Sequence, residues 1–274
     1  MAHCWRWRCN NVNMKSRAIA FRFKLCRTRR FQSFGGVSPT ISLKTESVLA
    51  SFQRQSNISF SQKPMRRFLA FTGLWRMPKI LDAVETVLGP NLLVWDSGWF
   101  AKMPGDKKYV AWHQDGIYFG LHPPNVVTAW VALTDSTPEN GCLRVVPGSH
   151  GKNLIHRETG APDNALSRGK EIAVEVDESQ AVDIVLQPGE LSLHHVGIVH
   201  GSNPNTSDRP RIGLAIRYLT PDVVHHGPER QLALLVRGKD EFGHFELLDR
   251  PIGDSAPAGR AIQLKILERM GVKG

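Results

Sequence analysis

Residues 126–150 read VVTAWVALTDSTPENGCLRVVPGSH. A run of β-branched and aromatic side chains gives way to a cluster of Asp, Ser, Pro, Asn and Gly. A second apolar run follows, and then Pro147-Gly148. Branched and aromatic side chains suit a pleated strand, and Asn140-Gly141 is a hairpin dipeptide because both residues tolerate the left-handed backbone. The stretch therefore reads strand, turn, strand, turn. The same pattern extends on both sides: NLLVWDSGWFAKM (91–103), EIAVEV (171–176), DIVLQPGELSLHH (183–195), RIGLAIRYLT (211–220) and RQLALLVRG (230–238) are short and punctuated by Gly and Pro. No helical segment alternates with them, which excludes a doubly wound parallel sheet and predicts a mainly β sandwich or barrel.

Helices are expected only at the flanks. In PKILDAVETVLGP (78–90), Ile80, Leu81, Val84, Val87 and Leu88 share one apolar face. Pro78 suits the first turn, and Gly89-Pro90 ends the helix. TESVLASFQRQ (45–55) and PAGRAIQLKILERMG (257–271) have similar spacing, and 237–259 reads as a long loop over one side of the sheet. There is no internal repeat and no apolar run long enough to cross a membrane as a helix.

The net charge of +10 is not spread over the chain. Ten of the 35 basic residues precede Glu46, the first acid, which leaves 25 basic against 25 acidic residues in 46–274. A balanced body offers no clustered positive surface for nucleic acid. The chain thus divides into a basic leader, 1–45, expected to be disordered or a targeting segment, and a folded domain, 46–274. Three of the four cysteines, Cys4, Cys9 and Cys26, lie in the leader, and Cys142 is alone in the body. One cysteine builds no disulfide framework, which favours a reducing, cytoplasmic compartment. An arginine-rich leader free of acids is the composition of an organellar transit peptide, and that is the alternative localisation.

The chemistry is carried by WHQDG (112–116) and, 85 residues beyond Asp115, by His200 in VHGSNPN. On a strand His113 and Asp115 would point to one face. In a jelly roll a strand distant in sequence lies alongside, so His200 can complete the set. Two imidazoles and one carboxylate on one side of a metal leave positions open for a co-substrate and O2, which suits non-heme Fe(II). Arg211, 11 residues after His200, is always charged and pairs bidentately with carboxylates. It is a natural anchor for the far end of a chelating 2-oxo acid, and Ser202 offers a hydroxyl beside it. Of the adjacent pair His194 and His195, only one can face the same side. His150, His225 and His226 read as turn or loop residues.

The order of WHQDG, TAWVALTDSTPENGCLRVVPGSHG, VHGSNPN and RPRIGLAIRY resembles the phytanoyl-CoA dioxygenase family of Fe(II)/2-oxoglutarate-dependent oxygenases, over roughly 45–250. The resemblance implies a double-stranded β-helix (a jelly roll, cupin-like) with helices outside. It implies iron ligands at His113, Asp115 and His200, and a 2-oxoglutarate C5 carboxylate held by Arg211 and Ser202. Trp130 and Lys102 match positions lining the co-substrate pocket. A carboxylate at 115, where halogenating relatives have a small residue, implies a hydroxylase. The implied reaction consumes O2 and releases succinate and CO2, with ascorbate in support. Trp99, Trp112, Tyr118, Phe119 and His122 lie around the first motif as possible substrate walls. With no basic patch for the phosphates of CoA, a small organic substrate is expected, with neither nucleic acid nor membrane as partner. Two rival readings stand beside this: a cupin-like metalloprotein with non-oxidative chemistry, and a catalytically silent binding member of the fold. The sequence does not indicate an oligomeric state.

Overall fold

The structure, a computed structural model, describes residues 21–24, 73–158, 161–166, 170–173 and 175–248. The helices expected at 45–55 and 257–271 lie outside them. The strands are β1 (Phe21–Lys24), β2 (Leu92–Lys102), β3 (Val110–His113), β4 (Leu121–His122) and β5 (Val126–Ala132). Next come β6 (Leu143–Val146), β7 (His156–Glu158), β8 (Lys170–Ile172), β9 (Val182–Ile184) and β10 (Glu190–His195). The last five are β11 (Val199–Ser202), β12 (Arg211–Leu219), β13 (Val224–His225), β14 (Leu232–Arg237) and β15 (Glu246–Leu247). Helix α1 spans Pro78–Leu88 and the short α2 spans Gly116–Phe119.

Seven strands form one sheet in the order β1-β10-β5-β12-β2-β14-β15, and four form a second in the order β3-β11-β6-β9. The two sheets make the jelly roll. β1, from the basic leader, pairs antiparallel with β10 at the edge of the large sheet. The expected loop at 237–259 contains β15, which runs parallel to β14, while Phe245 is buried in a second core cluster. EIAVEV contributes only the end of β8, paired with β7.

Alternation along the strands assigns the two faces of the large sheet. Ile212, Leu214, Ile216 and Tyr218 of β12, with Val127, Ala129 and Val131 of β5 and Leu191 and Leu193 of β10, pack on Ile80, Leu81 and Val84 of α1. Burying this apolar stripe drives α1 onto the sheet. Tyr218 Oη donates to Trp75 O at 2.9 Å, and Arg237 of β14 pairs with Asp82 at 2.8 Å and with Glu85. The intervening residues face the barrel interior: Arg211, Gly213, Ala215 and Arg217 from β12, and Thr128, Trp130 and Ala132 from β5.

Candidate active site

The site begins in the small sheet. β11 and β3 are antiparallel with His200 directly opposite His113, and their ring centroids are 4.0 Å apart. Each imidazole is fixed by its own strand: His113 Nδ1 lies 2.9 Å from Ala111 O, and His200 Nδ1 lies 2.9 Å from Ile198 O. A carbonyl accepts only, so each Nδ1 carries the proton and each Nε2 keeps a free lone pair. Asp115 reaches the same place by a different route from the one expected. β3 ends at His113, and Asp115 has helical backbone (φ −57°, ψ −36°) where it opens α2. The turn, not strand alternation, brings Asp115 Oδ1 to 3.5 Å from His113 Nε2. One ligand atom from each of His113, Asp115 and His200 lies within 4.8 Å of the others, and all three residues are buried.

The electrostatics fit a cation. Burial holds His200 well below the usual histidine value, so its ring is neutral. Burial pushes the Asp115 carboxyl up, but its contact with His113 and the charge of Arg217 outweigh that and hold it well below the usual range. Two imidazoles and one ionised carboxylate are a donor set suited to Fe(II).

Gln114, between the two motif residues, turns away and works as a staple. Its side-chain amide donates to Lys152 O at 2.8 Å and Gly197 O at 2.6 Å, and its carbonyl accepts from Leu154 N at 2.8 Å. Its backbone N donates to His156 Nε2 at 3.1 Å. Asn205 does the same for the loop between His200 and Arg211, donating to Lys102 O, Met103 O and Arg209 O. Asn140 accepts from Thr137 N and donates to Asp135 O within its turn, but β5 and β6 belong to different sheets, so Asn140-Gly141 carries the chain between layers and does not close the expected hairpin.

Across the barrel, Arg211 of β12 stands directly opposite Lys102 of β2. Both are buried. Among the described residues no carboxylate pairs with Arg211, and its Nε has no hydrogen-bond acceptor. Lys102 Nζ donates to Ser202 Oγ at 2.7 Å and to Asn203 O. Burial, then the charge of Arg211, pushes the Lys102 ammonium down to about 7, against weaker attraction from Asp106 and Cys142. Burial lowers Arg211 to about 10. Two buried cations side by side with only neutral partners are costly, and a bound carboxylate would relieve that cost. Trp130 lies with its ring 5.4 Å from the Arg211 guanidinium, against Gly213, where any Cβ would come within 2.2 Å of the indole. Lys102, Ser202, Arg211 and Trp130 thus form one contiguous cluster.

The expected substrate walls divide. Tyr118, on α2, has its ring 6.1 Å from His113 and 5.8 Å from His156, edge-on to the latter. Phe119 lies at 5.2 Å beneath the Arg217 guanidinium. Trp99 is corrected: it sits three residues before inward-facing Lys102, so it points to the opposite face and packs with the α1-side core. Trp112, next to inward-facing His113, also points out of the barrel. It lines an outer groove of about 530 Å3 that extends to Ser202, stacks under Arg144 and donates to Glu178 at 3.2 Å. His122 is exposed, paired with Val224 of β13. His194 is the inward member of its pair, 5.1 Å from His200, while His195 turns to His150.

Of one group the sequence reading singled out His194 alone. His194, Thr128, Arg217 and Asp96 are successive partners across β10, β5, β12 and β2 and form a polar row on the inner face. Arg217 follows Arg211 by six residues, so strand parity puts the two on one side. That parity was readable for Arg217, while its partners in the row were not.

The family model described as phytanoyl-CoA dioxygenase (PhyH) matches residues 42–213. The chain belongs to the phytanoyl-CoA dioxygenase family. It is 33% identical over 164 residues to a probable alpha-ketoglutarate-dependent hypophosphite dioxygenase of Stutzerimonas stutzeri, covering 59% of this chain and 57% of that one. It is 28% identical over 151 residues to the peroxisomal phytanoyl-CoA dioxygenase of Homo sapiens, covering 53% and 45%. The chain therefore spans about half the length of the curated relatives it matches. Among solved structures, the non-heme monooxygenase ThoJ in its apo form is 36% identical with a TM-score of 0.69, covering 84% of this chain and 89% of that one. Among the described residues no helix is long and apolar enough to cross a membrane.

Proposed function

We propose that this member of the phytanoyl-CoA dioxygenase family is a non-heme Fe(II)- and 2-oxoglutarate-dependent dioxygenase that hydroxylates a C–H bond of a small organic substrate. The observation that carries the reading is the combination of a His113/Asp115/His200 donor set with a buried, anion-less Arg211 beside Lys102 and Ser202. A non-oxidative cupin has no use for the second half of that combination. When bound, the iron and the keto acid supply the oxidising power, with O2 consumed and succinate and CO2 released.

The chain's own residues orient and shelter that chemistry. His113 and His200 present Nε2 atoms whose direction is set by backbone carbonyls. Asp115 supplies the anionic donor and occupies the position a halide would need. Arg211 and Ser202 hold the C5 carboxylate of 2-oxoglutarate, Lys102 adds a charge behind Ser202, and Trp130 walls the pocket. Tyr118 stands at the mouth over His113 and faces substrate. The family likeness supports this assignment of roles, as does the burial of all three donors, which keeps water from the reacting centre. Substrate is a small molecule, and ascorbate sustains turnover by keeping iron reduced.

The test is succinate formation by purified protein supplied with Fe(II), 2-oxoglutarate and ascorbate, with and without candidate substrates. Asp115→Ala is expected to abolish it, and Arg211→Ala to raise the 2-oxoglutarate requirement. Turnover that is equal in both variants and the wild type, or no consumption of 2-oxoglutarate by any of them, overturns the reading.

A further inference from the structure

We infer that Arg217, braced by Asp96, is a positioning residue that holds the Asp115 carboxylate so that a single oxygen is presented to the metal; the inference rests on the metal-site reading above.

The two oxygens of Asp115 face different groups. Oδ1 is turned to His113 Nε2 at 3.5 Å, and Oδ2 is turned to Arg217 Nε at 4.0 Å. Arg217 is itself anchored from the other side, with Nη1 donating to Asp96 Oδ2 at 3.0 Å. If Arg217 were only the partner of Asp96, its remaining edge would turn to water or to another acceptor. Instead it is buried, and Nε has no hydrogen-bond acceptor among the described residues. The Phe119 ring covers the guanidinium at 5.2 Å, which excludes solvent and keeps the charge effective across the gap.

The local chain explains why these parts coincide. α2 starts at the residue after Asp115 and ends at Phe119, so one turn sets the carboxylate on one side of Arg217 and the aromatic cover on another. Gly116 N donates to Val196 O at 2.9 Å and Tyr118 N to Asp115 O at 3.0 Å, which fixes the turn. From the opposite wall, β12 and β2 place Arg217 and Asp96 as direct cross-strand partners. Asp96 has a second effect. A guanidinium shared with another carboxylate stays 4.0 Å from Oδ2 rather than closing on Asp115 as a bidentate pair, which would turn the carboxylate away from the two imidazoles. With two acids to one base the group keeps net negative charge for a cation.

The experiment is anaerobic titration of the purified full chain with Co(II), followed by visible absorption of the bound ion, together with the rise in melting temperature that the ion produces. Groups that orient metal ligands typically change affinity by 10–100-fold when removed. R217M is expected to weaken Co(II) binding at least tenfold and to shrink the metal-induced rise in melting temperature. R217K should recover part of the affinity, because it restores charge without the fork. D96N should weaken binding severalfold by releasing Arg217 toward Asp115. A merely structural pair would lower the melting temperature of the apo and metal forms equally and leave Co(II) affinity and spectrum unchanged; that result overturns the inference. If R217M does not fold, R217K and D96N decide it, and wild-type Co(II) affinity in both is fatal. A wild-type protein that binds no Co(II) instead defeats the metal-site reading, and this inference with it.

Discussion

Arg211 and Lys102 are the residues on which the co-substrate reading can be tested most directly. A buried, unpaired guanidinium destabilises the empty protein, so Arg211→Met is expected to stabilise the apo form by about 1–2 kcal/mol in denaturant unfolding, since apolar replacement of buried charge is often stabilising. The same change should weaken 2-oxoglutarate on the order of 100-fold, the usual cost of truncating one side of a buried charged pair. Lys102 gives a pH signature. Its folded value of about 7 lies below the ordinary 10.5, so between these values the unfolded chain binds the more protons and stability rises with pH. A bound carboxylate favours the charged ammonium. Affinity for 2-oxoglutarate should therefore fall as pH rises above about 7, by up to about tenfold per unit, and Lys102→Met should flatten that profile in a binding titration.

At the scale of elements, the site depends on what keeps its turns and strands in register. Gln114→Ala leaves Lys152 O, Gly197 O and Leu154 N without their partner and should cost about 2–4 kcal/mol in denaturant unfolding. Gly213→Ala drives a methyl group into Trp130. It should cost about 1–3 kcal/mol as overpacking and raise the 2-oxoglutarate concentration needed for half-maximal turnover, while Co(II) binding at the far donors is unchanged. The same elements explain what the sequence revealed. Each motif strand was legible because its turn chemistry is local, and His113, His200 and Arg211 were legible because their spacing survives any loop between them. Trp99 and Trp112 were misplaced although parity was available: one is an odd step from Lys102, the other an odd step from His113. Asp115 comes beside His113 by a helical turn and not by the expected strand alternation, because α2 begins directly after it and Gly116 is tied to Val196. The row from His194 to Asp96 was hidden for another reason. It exists only across four strands, and cross-strand partners depend on a sheet order that no single segment encodes.

For the whole molecule, the two histidine donors and the two cations of the carboxylate pocket belong to different sheets. His113 and His200 lie on the four-stranded sheet, and Arg211 and Lys102 on the seven-stranded one. A co-substrate bound to both ends ties the two layers together. Metal and 2-oxoglutarate added together should raise the melting temperature more than the sum of each alone, by roughly 5–10 °C at a hundredfold excess over Kd, and a chelator should reverse it. Such synergy is absent if the keto acid binds without bridging. The imidazoles themselves need none of this scaffolding, since each leans on the carbonyl two residues earlier in its own strand. Their aim is thus inherited from the backbone rather than negotiated with neighbours. Insertions, deletions and wholesale rewriting of the surrounding loops can then reshape the entrance without detuning the centre, because neither ring takes its direction from them.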